Sequence, residues 1–189
     1  METLIRLLKD HPKDPAIAGL IKDAEAGSDV DLNQQSQQLS GVWDLRWSSA
    51  SQPWLKQAAW LDNLQILDPE RSRGMNVLRL NGPLGRLAAI TVEAELSIAS
   101  ATRVSVCFRK GGWVGPGLPG GGRLALMKTV TQSFPAWLEI TALDETLRIC
   151  RGNAGTIFAL LRRNDLSIES FFFSRLNQHQ RLSRRHEAF

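Results

Sequence analysis

The chain has 189 residues, 43% of them apolar and 22% charged, a balance typical of one soluble globular domain with short extensions. Most of the net charge of +4 lies in the C-terminal tail, so the body is nearly neutral. We therefore expect no nucleic-acid partner, since a nucleic-acid surface needs many phosphate contacts. No apolar run reaches the roughly 20 residues of a membrane-spanning helix.

The first part of the chain, residues 1–38, is predicted to be a helical extension followed by a linker. Apolar residues recur at helical spacing in 3–9 and 15–25, and a polar stretch follows from Gly27. Acidic residues and the lack of a small-residue cleavage site argue against a secretory signal or an organellar transit peptide. We expect a cytoplasmic protein that meets membranes only from outside.

From Gly41 the pattern changes to period two, which is typical of strands with one wet face. About eight or nine short strands follow with no long helix between them, so a parallel βαβ sheet is not expected. Residues 39–174 are therefore predicted to form a mainly β domain, either a sandwich or an antiparallel up-and-down barrel. The predicted strands are 42–47, 63–67, 75–80, 86–97, 103–109, 137–143, 146–151 and 156–162.

The sequence offers little that could carry out catalysis. It contains neither GxSxG nor HExxH, and His11, His179 and His186 all lie outside the predicted barrel. Asp144 and Glu145 are adjacent, so on a strand end they point to opposite faces and suit a turn better than acid–base chemistry. We expect no enzyme, cofactor or metal, and we expect the two cysteines to be reduced thiols.

A glycine-rich stretch, residues 111–122, formally contains GxGxxG, but prolines occupy two variable positions and no helix follows. One interpretation is a mobile hairpin loop. The other is an apolar flap, formed by Trp113, Val114 and Leu118, that lies at the barrel mouth or dips into a bilayer.

Two segments go beyond patterning. Residues 40–49, continued by 52–54, and residues 143–153 resemble the opening and closing motifs of the plastid lipid-associated protein (PAP)/fibrillin family. Residues 63–65 and 73–76 also fit that family, and the resemblance covers about 39–163. It implies a lipocalin-like barrel that binds lipids, quinones or carotenoids at thylakoids or lipid globules (plastoglobules) of plastids and cyanobacteria. Without a transit peptide, a cyanobacterial member peripheral to the thylakoid is expected.

The resemblance also implies a structural motif at the closed end of the barrel. There Trp43 packs across the end, and an arginine from a late strand stacks on its ring. Arg151 is favoured over Arg148 for this stacking. The residues assigned to the motif are Gly41, Trp43, Asp144, Arg148, Arg151 and Gly152.

The leading interpretation is non-catalytic binding of an apolar ligand in a hydrophobic, uncharged barrel interior. Two alternatives stay open: a scaffold that binds a partner enzyme such as one of quinone synthesis through Phe171–Phe173 and the basic tail 175–189, and a tetrapyrrole (bilin) carrier. The tetrapyrrole carrier needs inward Arg or Asp. The predicted ligand-binding residues are Leu45, Trp47, Ile90, Val92, Val104, Val106, Leu138, Ile140 and Phe158.

Overall fold

The structure is a computed structural model that describes residues 1–51, 58, 60–82, 85, 87–118 and 123–172. The helices are α1 (Glu2–Asp10), α2 (Ile17–Ala26), α3 (Leu32–Leu39) and α4 (Glu169–Phe172). The strands are β1 (Gly41–Ser48), β2 (Leu61–Asp68), β3 (Arg73–Leu80), β4 (Ala89–Ile98), β5 (Arg103–Gly117), β6 (Arg123–Thr129), β7 (Ala136–Leu143), β8 (Leu147–Gly152) and β9 (Ile157–Arg162).

Eight of these strands form a closed antiparallel barrel. Around the barrel, each strand pairs with its neighbours in the order β4, β3, β2, β1, β9, β8, β7, β5, and β4 pairs with β5 to close the ring. β6 is an extra strand that pairs with the second half of β5. The prediction of a mainly β, up-and-down barrel is therefore confirmed, because every barrel strand pairs with its next neighbour around the ring.

The glycine-rich stretch differs from the expected loop in its first half. Residues 111–117 continue β5, pairing with β4 on one side and β6 on the other. A side chain at Gly112 would collide with the backbone of Leu126 on β6, so this position requires glycine for close strand approach rather than for mobility. The interpretation of a mobile loop is wrong for these residues, while 119–122 lie outside the described residues.

One end of the barrel is closed by α3. Asp31 caps this helix by accepting a hydrogen bond from the Asn33 backbone N–H at 3.0 Å. The Leu32 N–H donates to the carbonyl of Ala101 at the same end, and Leu39 is fully buried. The helix and the barrel interior share one apolar cluster: Val30, Leu32, Leu39, Trp43, Leu45, Leu67, Leu96, Val104, Ile140, Leu143, Cys150 and Leu160.

Two further segments cover the outside of the barrel. Helices α1 and α2 bury Leu4, Leu8 and Ile21 against outward residues of β7, β8 and β9. On the other side, the segment that ends in α4 packs Phe171 and Phe172 against an outer cluster on β1, β2, β3 and β4. The strands are therefore buried on both faces over much of the barrel.

Trp47 lies outside the barrel, and its predicted place in the interior is wrong. The register of β1 against β9 shifts between Leu45 and Trp47, so Arg46 is an extra residue in the strand. Leu45 therefore faces inward, whereas Trp47 packs with Ala159 in the cluster under α1 and α2. A pattern of period two cannot show such a bulge, which moves every later side chain to the opposite face.

Candidate ligand-binding cavity

The barrel contains a cavity of about 350 Å³ that, among the described residues, is open at the end opposite α3. This volume lies within the range of roughly 300–1,000 Å³ found for small-molecule sites. Apolar residues contribute most of the wall, through side chains or backbone, and none of the described lining residues is titratable. The wall consists of Leu45, Asn63, Gln65, Leu67, Gly74, Met75, Asn76, Val77, Leu78, Ile90, Val92, Ala94, Leu96, Val106, Phe108, Ala136, Trp137, Leu138, Gly152, Asn153 and Phe158.

Most of the residues predicted from alternation to bind the ligand are found in this wall. They come from β1, β4, β5, β7 and β9, whose inward residues share one face by the period of two. Val104 and Ile140 lie deeper, in the buried cluster next to α3. The predicted residues in the wall are Leu45, Ile90, Val92, Val106, Leu138 and Phe158.

Four amide side chains also belong to the wall, and the sequence prediction did not include them. Asn63, Gln65 and Asn76 come from the adjacent strands β2 and β3, and Asn153 lies at the open end. The Asn153 amide is occupied, since it accepts from the Trp137 N–H and donates to the carbonyl of Pro135. The sequence did contain a signal for Asn63 and Gln65. They occupy alternate positions on β2, on the face opposite to that of buried Leu64.

Trp43 fills the closed end of the barrel and is fully buried at 0% exposure. Its indole N–H donates to the carbonyl of Leu39 at 3.0 Å, which joins the ring to the end of α3. Two guanidinium groups stack on the ring: Arg162 at 4.2 Å from its centre and Arg148 at 5.1 Å. The favoured partner, Arg151, is therefore wrong; Arg148 is one partner, and Arg162 was not foreseen.

Arg162 also explains the glycine that opens β1. Its guanidinium donates to the backbone carbonyls of Ser40 and Gln38 and, through Nε, to that of Glu145. A side chain at Gly41 would occupy the position of the Arg162 guanidinium. Glycine at position 41 therefore leaves the space through which the Arg162 side chain crosses the backbone where β1 begins.

Arg148 contradicts the expectation of an uncharged interior. Its side chain is 0% exposed, and Nη2 donates to Oε1 of Gln65 in the cavity wall. Nε and Nη1 have no hydrogen-bond partner among the described residues. Burial lowers the pKa of the guanidinium and nearby Arg162 lowers it further, although the charge of an arginine persists in proteins. The thiol of Cys150 is beside it, and burial raises the pKa of that thiol, so it offers no thiolate.

Arg151 points outward, on the other face of β8, and ties α2 to the barrel. Its Nη2 donates to Oε2 of Glu25 at 2.6 Å, and Thr141 donates to Oε1 of the same carboxylate at 2.7 Å. Burial raises the pKa of Glu25, but the hydrogen bonds from Arg151 and Thr141 outweigh it, so the pKa is lowered overall. Asp144 serves the β7–β8 turn, where Oδ1 accepts from the backbone N–H groups of Thr146 and Leu147.

At the open end, a row of apolar residues crosses β4, β5 and β6. Ile90 on β4 pairs with Trp113 on β5, which pairs with Leu126 on β6. Ile90 is 56% exposed and Leu126 is 72% exposed; Leu124 is also exposed. We call Ile90, Trp113, Leu124 and Leu126 the rim cluster.

The three predicted flap residues separate in the structure. Trp113 belongs to the rim cluster, and Leu118 is exposed just after β5 ends. Val114 instead lies on the outer face, where it lines a shallow groove with Thr91 and Phe171. Neighbours in a strand point to opposite faces, so Trp113 and Val114 cannot belong to one surface.

Within the described part of the chain, no group of three or more His, Cys, Asp or Glu side chains is placed to hold a metal ion. The helices found there are too short or too polar for any of them to cross a membrane.

A closed eight-stranded barrel around an apolar cavity defines the chain as a barrel protein with room for one small apolar molecule. A model of the PAP_fibrillin family matches residues 8–161, which is more than half of the chain. The chain therefore belongs to the PAP_fibrillin family, as the motifs around Gly41 and Asp144 predicted. Searches of curated proteins and of solved structures each found no match.

Proposed function

We propose that this protein binds an apolar, lipid-like molecule in the barrel and performs no catalysis. The observation that carries the proposal is the open cavity, whose wall is largely aliphatic and aromatic. Binding removes the ligand's methylene groups from water, at about 0.8 kcal/mol for each one buried. A prenylquinone, a carotenoid or an acyl lipid supplies enough such groups for tight binding. The lack of titratable groups among the described wall residues supports a non-catalytic role.

The test is to purify the protein from a photosynthetic host and to identify what organic solvent extracts from it. We expect a prenylquinone, carotenoid or acyl lipid in near-stoichiometric amount. The variant Val92→Trp places a large ring in the cavity and should lower ligand affinity about tenfold or more, since overpacking a site costs about 1–3 kcal/mol. An empty parent protein that also fails to bind added lipid would contradict the proposal.

Ser97→Trp is the matched control for this variant. Ser97 lies on the same strand, β4, but is exposed on the outer face. The same ring placed there adds no bulk to the cavity, so ligand affinity should equal that of the parent.

The proposal includes a place of action at the surface of photosynthetic membranes or lipid globules, with the protein peripheral to the lipid. The rim cluster supports this part, because exposed apolar side chains lie along one side of the opening, on β4, β5 and β6. Lys128 lies two residues after Leu126 on β6, on the same face, and its side chain is exposed. Its positive charge favours a lipid surface with anionic head groups. A ligand could then pass between lipid and cavity without crossing water.

The scaffold alternative loses part of its expected interface, because Phe171 and Phe172 are packed against the barrel; Phe173 and the basic tail 175–189 lie outside the described residues. The tetrapyrrole alternative keeps one supporting observation, the inward Arg148, which could pair with a propionate. Absorbance of the extracted material at the red end of the visible range distinguishes this alternative, since a bilin absorbs there whereas acyl lipids, prenylquinones and carotenoids do not.

A further inference from the structure

The cavity floor joins apolar walls to an unusual electrostatic feature. Arg148 and Arg162 both lie at the closed end, on the ring of Trp43. Neither takes part in an ion pair among the described residues, whose ion pairs all involve other arginines. Arg162 is partly exposed and is compensated by three backbone carbonyls and by the nearby carboxylates of Glu145 and Asp144, whereas fully buried Arg148 has one amide oxygen. The uncompensated charge in the low-dielectric interior is therefore that of Arg148.

A buried charge without a counter-charge strongly destabilises a fold, so such groups are normally paired. The only side-chain oxygen that accepts from Arg148 among the described residues is Oε1 of Gln65, and Nε and Nη1 have no such acceptor there. The thiol of Cys150 is a weak acceptor and cannot replace a carboxylate. The unfilled requirement at this position is for an anionic oxygen.

Gln65 connects this requirement to the cavity. Its Oε1 is held by Arg148, which fixes the orientation of the amide and leaves Nε2 as the donor for another group. Gln65 lines the cavity, so a head group that binds this amide is one side chain away from the guanidinium. Leu45 and Leu67 flank it in the wall and exclude water from a bound oxygen.

We propose that the ligand is an amphipathic lipid with a carboxylate head, which enters first and is bound at the floor by Gln65 with the charge of Arg148 behind it. The inference rests on the proposed function, because it names the chemical class of the ligand for the same cavity. The aliphatic chain then lies along the walls towards the open end. Its far end reaches the rim cluster, where Ile90 belongs to both the wall and the rim.

The experiment compares palmitic acid with methyl palmitate, which has the same chain but no charge. Displacement of bound Nile red from the full chain measures both affinities at neutral pH. A hydrogen bond to a charged group favours the acid, so we expect the acid to bind about tenfold more tightly than the ester. Equal affinity for the two would overturn the inference, because ordered water would then satisfy Arg148 as well as a ligand does.

Gln65→Glu tests the residues directly. The new carboxylate supplies Arg148 with an internal partner, so the acid should lose its advantage of about tenfold while the ester binds as before. Gln65→Leu removes the donor and should reduce the same ratio. Retained binding of the ester reports that each variant is folded, so a loss that affects only the acid cannot come from unfolding.

Gln37→Glu is the matched control, because it makes the same change at an exposed position of α3, outside the cavity wall. Solvent screens the added charge there, so the acid-to-ester ratio should change by less than about threefold. An equal fall of the ratio in Gln65→Glu and Gln37→Glu would overturn the role of Arg148. A parent protein that binds neither probe contradicts the proposed function instead, which separates the two failures.

Discussion

At the scale of the residue, Trp43 is the point where the closed end of the barrel is assembled. Its ring contacts two guanidinium groups, and its N–H binds the end of α3. The negative face of the ring attracts both guanidinium groups, and the ring fills the space beneath α3. Removal of the side chain leaves both an apolar void and two less compensated charges.

We expect Trp43→Ala to lower the free energy of unfolding by about 3–5 kcal/mol, measured by urea denaturation. Trp137→Ala is the control, because Arg103 stacks on that ring at 4.4 Å, but at a partly exposed position near the start of β7. This second variant should lose about 1–2 kcal/mol. If Trp43→Ala is as stable as the parent, Trp43 does not hold the closed end together.

At the scale of the element, the attachment of α2 to the barrel depends on the carboxylate of Glu25. The hydrogen bonds from Arg151 and Thr141 lower its pKa, so the folded protein holds the ionised form more strongly than the unfolded chain does. A carboxyl with a lowered folded pKa stabilises the fold above its unfolded pKa. This contribution is lost as the pH falls through the folded pKa.

Glu25→Gln should therefore lower stability by about 1 kcal/mol at pH 7. The difference between variant and parent should shrink as the pH falls below the ordinary carboxyl pKa of 4.5 and vanish at the acid limit. Urea midpoints measured across this range provide the test. Asp23→Asn, at an exposed position of the same helix, should leave the free energy of unfolding within about 0.5 kcal/mol of the parent. A stability difference that stays constant with pH would contradict the role of the ionised carboxylate.

How much the sequence could predict also differs between elements. Alternation located the eight barrel strands, because each has one face in the interior and the side chains follow the pleat. It missed β6, although Leu124 and Leu126 alternate there, because the preceding glycines indicated a loop. Those glycines instead permit close approach of β5 and β6.

The candidate site was predictable where it follows regular alternation and not elsewhere. Bulges in β1 after Leu45 and in β7 after Ile140 reverse the faces of the following residues, so Trp47 was placed wrongly. The stacking of Arg162 on Trp43 depends on the pairing of β1 with β9, which joins distant parts of the chain. No local sequence pattern shows which residues of β1 and β9 are paired. The contact of Arg148 with Trp43 likewise follows only from the assembly of the closed end.

At the scale of the whole molecule, the open end combines an entrance to the cavity with exposed apolar side chains. We expect Leu124→Ser combined with Leu126→Ser to weaken binding to anionic lipid vesicles about tenfold or more, as two exposed leucines each contribute about 1 kcal/mol on burial. Co-sedimentation with vesicles measures this. Binding of a soluble ligand by the cavity should persist, which separates docking from ligand binding.

Charge provides a matched pair of variants for the same surface. Lys128→Glu changes the charge beside the rim cluster, whereas Lys22→Glu makes the same change on exposed α2. Only the first should reduce vesicle binding markedly, at roughly 1 kcal/mol for each basic residue near the surface. Equal effects of the two variants would show that the whole molecule, and not its open end, is attracted to the lipid.

The pairing of β1 with β9 has a consequence for the order of events in folding. Every other pair in the barrel joins strands that are close in the chain, whereas this seam joins the first strand to the last. Formation of the seam requires the closure of a very long loop, so it is expected late on the folding pathway. Leu45 and Leu160 meet across the seam at the inner cluster. A ligand therefore finds its site only after the rate-limiting barrier, and it should slow unfolding while leaving the rate of folding unchanged.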